Sequence, residues 1–225
     1  MKKQAAVFGL TRTISLLIIL SLASCSSMTL TGEWKDKNYS KGPFKKYIVI
    51  GLFKKLSVRE GMEDAISRAL RKNGVEAISS LTVLTPDREI KNNDRDLDNF
   101  LHLLGVDGVL IVRLLGLDKS EKYVPGSVYY TPGPGYAYGG PYMAYYFNYF
   151  YPVRSPGYHK QYVRVNIECI LFTNETNNMV WKAQTRSIPF DSGGSELETP
   201  KRTSADLARI IVAEFMKNGF LPVKK

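Results

Sequence analysis

The sequence predicts an α/β domain of the α+β kind, built on a mixed sheet, and three features carry that reading. Two short runs, Tyr47 to Phe53 and Gly108 to Leu115, are apolar at nearly every position, as strands covered on both faces must be. Between them lie two stretches with helical spacing. After them come two alternating runs joined by a polar turn, and then a long amphipathic segment. The resulting order is β-α-β-α-β, then a β-hairpin, then a C-terminal helix, with a long aromatic insert ahead of the hairpin.

The first strand covers Tyr47-Ile48-Val49-Ile50-Gly51-Leu52-Phe53. Ser57-x-x-Glu60 has the form of a capping box, and Val58, Met62, Ala65, Ile66, Ala69 and Leu70 follow at helical spacing until Asn73-Gly74 supplies a left-handed stop. Val75 to Ser80 reads as a strand that can extend to Leu84, because Pro86 ends it. Asp94 or Asp96 then caps a short helix carrying Leu97, Phe100, Leu101 and Leu104, closed by Gly105. With the run from Gly108, these elements imply right-handed crossovers and parallel neighbours.

From Tyr162 to Phe172 the pattern changes to strict alternation. Val163, Val165, Ile167, Cys169 and Leu171 take one face, and Arg164, Asn166 and Glu168 the other. The turn Asn174 to Asn178 leads into Val180 to Ser187, an antiparallel partner whose Trp181 and Ala183 face the core. Thr199-Pro200 reads as an N-cap with proline at the first helical position, and Leu207, Ala208, Ile211, Val212, Phe215 and Met216 form one stripe up to Gly219.

The insert is the compositional outlier. Between Lys122 and Arg154 there are thirty-one positions without a charge, and twelve of the fourteen tyrosines fall between Tyr123 and Tyr162. Structureless loops beyond about 12 to 15 residues are uncommon inside compact domains and are usually functional or disordered. Pro132-Gly133-Pro134-Gly135 argues against a regular ladder here, so residues 123–158 read as a low-complexity loop interrupting the domain. Its rings are costly to leave in water. Tyr129, Tyr130, Tyr136, Tyr138, Tyr142, Tyr145, Tyr146, Phe147, Tyr149, Phe150 and Tyr151 are therefore the candidate interaction residues. The membrane interface, a glycan strand of the wall, an envelope protein and a second copy of the chain (a homo-oligomer) are the candidate occupants. Alternation from Tyr142 to Tyr151 also allows a membrane-inserted barrel strand, but the partner it needs, Val128 to Thr131, is cut by Pro132.

The N-terminus reads as a secretory signal: Lys2, Lys3 and Arg12 precede an apolar run of ten residues, Ile14 to Ala23, too short for a membrane span of roughly 20 residues. Leu22-Ala23-Ser24-Cys25 looks like a lipobox, which implies cleavage before Cys25 and attachment of diacylglycerol and fatty acyl chains such as palmitate to that cysteine. Ser26 follows, where the enteric sorting pattern that it resembles uses Asp to retain proteins at the inner membrane. The expected location is thus the outer membrane of a Gram-negative envelope, facing the periplasm. The division expected is 1–24 leader, 25–43 lipidated tether and 44–222 domain. Loss of residues 1–24 removes three basic residues and no acid, lowering the formal charge from +10 to +7. A basic surface fits anionic headgroups or an acidic wall polymer, whereas nucleic acid is excluded as a partner by the compartment.

No motif for chemistry stands out. The two histidines, His102 and His159, lack ligand-like neighbours at metal spacing, and no P-loop, dinucleotide fingerprint or G-x-S-x-G occurs. Arg59 and Glu63, four apart, read as a surface ion pair, and Asp191 to Ser195 as a linker. Cys169 reads as a small core hydrophobe. No catalytic, metal or cofactor residues are expected. An enzyme that assembles carboxylates without a local motif stays open as an alternative.

The strand at Ile48 to Phe53, the segment Leu-Gly-Val-Asp-Gly-Val-Leu-Ile-Val from Leu104 to Val112, the hairpin ending at Val180-Trp181 and the final helix together cover residues 47–220. In these features the chain resembles the small α/β domain of the Tol-system translocation protein, the curli secretion lipoprotein and the lipoprotein activators of penicillin-binding proteins. It also looks like proteobacterial lipoproteins that open with a Trp-and-Tyr tether, here Trp34 and Tyr39, and carry a Tyr-rich insert. The resemblance implies a non-enzymatic envelope module that binds or assembles a protein or wall partner. A subunit of an oligomeric secretion pore is the alternative it suggests.

Overall fold

A computed structural model describes residues 27–84, 94–132, 150–191 and 198–222. In chain order they form strands β1 (Met28–Lys35) and β2 (Lys46–Leu52), helix α1 (Leu56–Lys72), strand β3 (Glu76–Ser79), the helical turn α2 (Ser80–Val83) and helix α3 (Asp94–Leu103). Strands β4 (Gly108–Val124), β5 (Ser127–Pro132), β6 (Phe150–Ser155), β7 (Tyr158–Thr173), β8 (Met179–Ser187) and β9 (Phe190–Asp191) follow, and helix α4 (Glu198–Asn218) closes the chain. The main sheet has the order β1-β8-β7-β4-β2-β3, with β9 against β7. Strand β2 runs parallel to β3 and β4, and the remaining pairs are antiparallel, so the sheet is mixed as expected.

Strand β2 is apolar throughout because helices cover both of its faces. Tyr47 and Val49 point into the main core with Ile66 and Leu70 of α1 and Leu207, Ile211 and Phe215 of α4. Ile48 and Ile50 point the other way, into a smaller cluster with Leu101, Val106 and Val109 beneath α3. Trp181 sits at the centre of the main core, its ring edge-on to Phe215 at 5.1 Å, and Tyr47 stacks on Phe215 and donates its hydroxyl to the Phe220 carbonyl at 2.7 Å. Cys169 is fully buried among these side chains.

Four local expectations change. The capping box does not form: α1 begins at Leu56, one residue before Ser57, and the Lys55 carbonyl accepts the first amides, from Val58 and Arg59. The second predicted strand stops at Ser79, where the chain turns into α2 instead of extending to Leu84. Helix α4 starts at Glu198, ahead of the predicted Thr199 cap. The largest change is at residues 28–35. Read as tether, they form β1, paired antiparallel with β8 from Met28↔Ser187 to Lys35↔Trp181 with a bulge at Leu30/Gly32. Sheet pairing satisfies the backbone there, and Met28 is buried in the core. Tyr39 packs back on the domain as well, stacked on Phe44 at 5.5 Å, whereas Trp34 stays exposed.

Candidate functional site

Strands β4 and β7 pair over their whole lengths, from Gly108↔Thr173 to Val124↔Tyr158, but only their inner halves lie in the core. Beyond Arg113 the β4 side chains are largely exposed, and the ladder runs out past the ends of β2 and β8, flanked by β9 at Tyr162 and Val163, before it goes on as a two-stranded arm. The arm is continued by β5 and β6, paired from Ser127↔Ser155 to Pro132↔Phe150. Its joint needs glycine at position 126, where the close approach is to backbone. A Cβ on Gly126 would strike the Ser155 carbonyl, and one on Gly157 would strike the Tyr123 hydroxyl.

This corrects the loop reading at 123–132 and 150–158, the described parts of residues 123–158. The stretch Val128 to Thr131, which prolines seemed to disqualify, is a strand, and its partner is Tyr151 to Arg154. Pro132 and Pro152 are tolerated because an isolated two-stranded ribbon leaves an outer edge on each strand. Tyr129 and Tyr130 are 53% and 66% exposed on β5. Phe150 and Tyr151 occupy β6, opposite Pro132 and Thr131. Tyr136, Tyr138, Tyr142, Tyr145, Tyr146, Phe147 and Tyr149 lie outside the described residues, as does Cys25. Basic side chains on the ladder and arm are Lys119, Lys122, Arg154, Lys160 and Arg164, against the acids Asp118 and Glu121 and, on the flanking β9, Asp191, which pairs with Lys160 at 2.9 Å.

The chain entering β1 is fixed at both ends. The Ser27 amide and hydroxyl both donate to the Asp206 carboxylate of α4, the amide at 2.7 Å, and the Ser27 carbonyl accepts from Ile188 at 2.8 Å. At the other end Glu33 accepts from Trp181 Nε1 at 3.0 Å, Asn218 Nδ2 at 2.6 Å and Lys217 Nζ at 2.8 Å. Partial burial opposes ionisation of Glu33, yet the Lys217, Trp181 and Asn218 bonds outweigh it and hold its pKa at about 2. A carboxylate depressed in the folded state stabilises above its ordinary value of 4.5 and loses that contribution as pH falls toward about 2. Thermal melts of Glu33→Gln should therefore show a shallower loss of stability than the parent between those two pH values. Parallel profiles would show that Glu33 does not tie β1 to α4.

Two buried carboxylates dominate the rest of the polar map. Glu63 is fully buried at the carboxyl ends of β2 and β3. Its Oε1 accepts from the Gly51 amide at 2.8 Å, Arg59 Nε at 2.9 Å and Ser80 Oγ at 2.8 Å, and its Oε2 from Ser79 Oγ at 2.6 Å and the Leu81 amide at 3.0 Å. Gly51 leaves room for this, since a Cβ there would press on Arg59 and Glu63 at 3.1 and 3.3 Å. Far from being a surface pair, Arg59 and Glu63 are the hub that ties α1 to β2, β3 and α2. Glu168, buried on the outer face of the sheet, accepts from Lys182 at 2.6 Å, Gln184 at 3.3 Å and Arg113 at 2.5 Å. Burial works against the charge of both groups, and their hydrogen bonds still hold the pKa values below the ordinary carboxylate range.

Both carboxylates are surrounded by donors, so the arrangement is suited to holding charge in place and not to moving protons. Burial drives the Cys169 thiol far up, away from nucleophilic use. His102 faces solvent at the end of α3, and no cluster of metal-ligating side chains occurs among the described residues. A shallow groove of about 400 Å³ between α1 and α4 is lined by Ala65, Ala69, Ala208 and Val212 with Arg68 and Lys72, a lining without acid, histidine or thiol. Among the described residues no helix is long and apolar enough to cross a membrane.

No family model matches the chain, and no curated protein matches it. Solved structures that are similar include the PelC dodecamer from Paraburkholderia phytofirmans, at 11% identity and a TM-score of 0.39, covering 79% of this chain and 93% of that one. A lipoprotein from Neisseria meningitidis aligns at 13% identity and a TM-score of 0.40, covering 77% and 96%. A minor lipoprotein from Acinetobacter baumannii aligns at 14% identity and a TM-score of 0.36, covering 79% and 96%. At these scores the likeness carries no argument about this chain, and what it does has to be argued from its own residues.

Proposed function

We propose that the chain is a membrane-anchored lipoprotein of the Gram-negative envelope, held in the outer membrane by acyl chains on Cys25, and that it acts as a non-enzymatic binding or assembly module. The β5 and β6 arm is its binding element. The single observation that carries this reading is an exposed, tyrosine-bearing ribbon, with Arg154 its one charged residue, supported by a ladder that leaves the core. A domain of this size has no stability reason to hold aromatic side chains out in water, since burying each would contribute about 1.5 to 3 kcal/mol. The lipobox-like Leu22 to Cys25 supports the anchor, and the saturated carboxylates favour a binding role over catalysis.

The test is to replace residues 127–155 with a two-residue Asn-Gly turn, leaving the β4 and β7 ladder closed. The shortened protein should remain folded and membrane-bound while losing its crosslinks to envelope proteins or peptidoglycan in intact cells. Unfolding, or an unchanged set of crosslinks, would count against the arm as the binding element.

A further inference from the structure

The register of the sheet puts the start of β1 and the arm at one end of the described structure. Met28 pairs with Ser187, and the Ser187 hydroxyl accepts from the Val165 amide at 2.9 Å, so Met28 lies level with Val165 on β7 and Ser27 one residue further out. From Val165 outward β7 has no β8 beside it and runs on to Tyr158, about 23 Å further at the usual strand rise. The free carboxyl ends of β2 and β3 open toward the same end, because β4 runs parallel to them and continues past them into the arm.

Exposed apolar side chains gather there too. Leu52, Leu56, Leu115, Leu117, Ile188 and Tyr130 are all strongly exposed at this end or on the arm. Among the described residues only Trp34, Leu103 and Met216, of the large exposed hydrophobics, lie elsewhere. Lysines interleave with them, at Lys54, Lys55, Lys119 and Lys122, and between Leu117 and Val165 five basic residues face two acids, with Asp191 of β9 as a third acid that pairs with Lys160. Apolar and tyrosine side chains set among cations match the boundary between acyl chains and anionic headgroups.

We propose that this end of the sheet is a membrane-docking face, seated on the interface of the bilayer that holds Cys25. The inference rests on the anchored-lipoprotein reading above. Only Ser26 separates Cys25 from Ser27, and two residues span at most about 7 Å, so a lipidated Cys25 brings the docked edge of the domain to the headgroups. The arm must then lie against the same surface. It lies along the interface and not through it, because Asp118, Lys119, Glu121 and Lys122 make the ladder too charged to enter hydrocarbon.

The experiment uses the full chain, matured in a Gram-negative host and reconstituted in vesicles of phosphatidylethanolamine and phosphatidylglycerol. A bimane fluorophore is attached in turn to Leu117→Cys, Tyr130→Cys and Leu103→Cys, with the buried Cys169 inaccessible to it. Spin-labelled lipid should quench the emission at 117 and 130 and leave the distant site at 103 unchanged. Protein that floats with the vesicles yet shows no quenching at 117 and 130 overturns the docking face while sparing the anchor. Failure to float overturns both. Shielding of the 130 label already present in detergent and unaltered by lipid would assign the face to a second copy, and overturns the proposal as well.

Discussion

Replacing Glu63 with alanine should cost the fold about 3 to 5 kcal/mol, the usual effect of removing one partner from a buried, hydrogen-bonded ion pair. For a domain of this size that corresponds to a fall in melting temperature of roughly 10 °C. The loss is large because the substitution strands donors from four elements together: the Gly51 amide, Arg59, the Ser79 and Ser80 hydroxyls and the Leu81 amide. Each stranded donor keeps its desolvation cost without a partner. Glu63→Gln keeps the shape and one acceptor but turns an NH2 group toward donors, so its effect should be smaller, about 1 to 3 kcal/mol. The pH dependence has a definite sign. Glu63 titrates below its ordinary range when folded, so its contribution is present above that range and fades as pH falls through it. Chemical denaturation of the two variants checks this, and a Glu63→Ala protein within about 1 kcal/mol of the parent would mean that water replaces the carboxylate.

Glu63 also shows where sequence reading stops short. An Arg and a Glu four apart on a helix are ordinarily a solvated pair, and that was the natural expectation. The signal against it was available: Glu63 precedes Ile66 by three and Leu70 by seven, so it lies on the buried stripe and not beside it. What the sequence could not show is that the loop after β3 would deliver Ser79, Ser80 and the Leu81 amide to the same spot. Elements fixed by local periodicity, such as β2, α1 and the hairpin of β7 and β8, were legible throughout. Cys169, Trp181 and Ala183 are buried as their alternation required.

Two of the missed strands, β1 and β5, failed for opposite reasons. In β1, a glycine and a bulge break the alternation of Met28 and Leu30, and the pairing partners lie 146 to 159 residues downstream. No local rule detects a contact of that span. In β5, the β-branched and aromatic run Val128 to Thr131 was visible, but Pro132 was given the power to veto it. In a free ribbon each strand has an edge that needs no donor, and a proline there breaks nothing. Both errors hid one functional consequence: residues 28–35, read as a leash, are a fixed strand, and residues 127–132 and 150–155, read as loose loop, continue a ladder growing from the same end.

Replacing Cys25 with alanine is the second change expected to have a large effect. Under the proposed anchoring, each buried acyl methylene contributes about 0.8 kcal/mol and two chains suffice for stable attachment, so their loss should move the protein from the membrane to the soluble fraction. With Ser27 hydrogen-bonded to Asp206, the same proposal gives Cys25 a second role, which is to set the orientation in which the domain would meet the bilayer. A docking face of scattered leucines, tyrosines and lysines cannot replace acyl chains, and what binding it leaves is electrostatic in part and weakens as salt screens it. Fractionation of Cys25→Ala cells at low and high salt separates the two contributions. Complete release at high salt, with a residue bound at low salt, is the expected result; undiminished membrane binding at both would transfer the anchoring role from Cys25 to the aromatic arm.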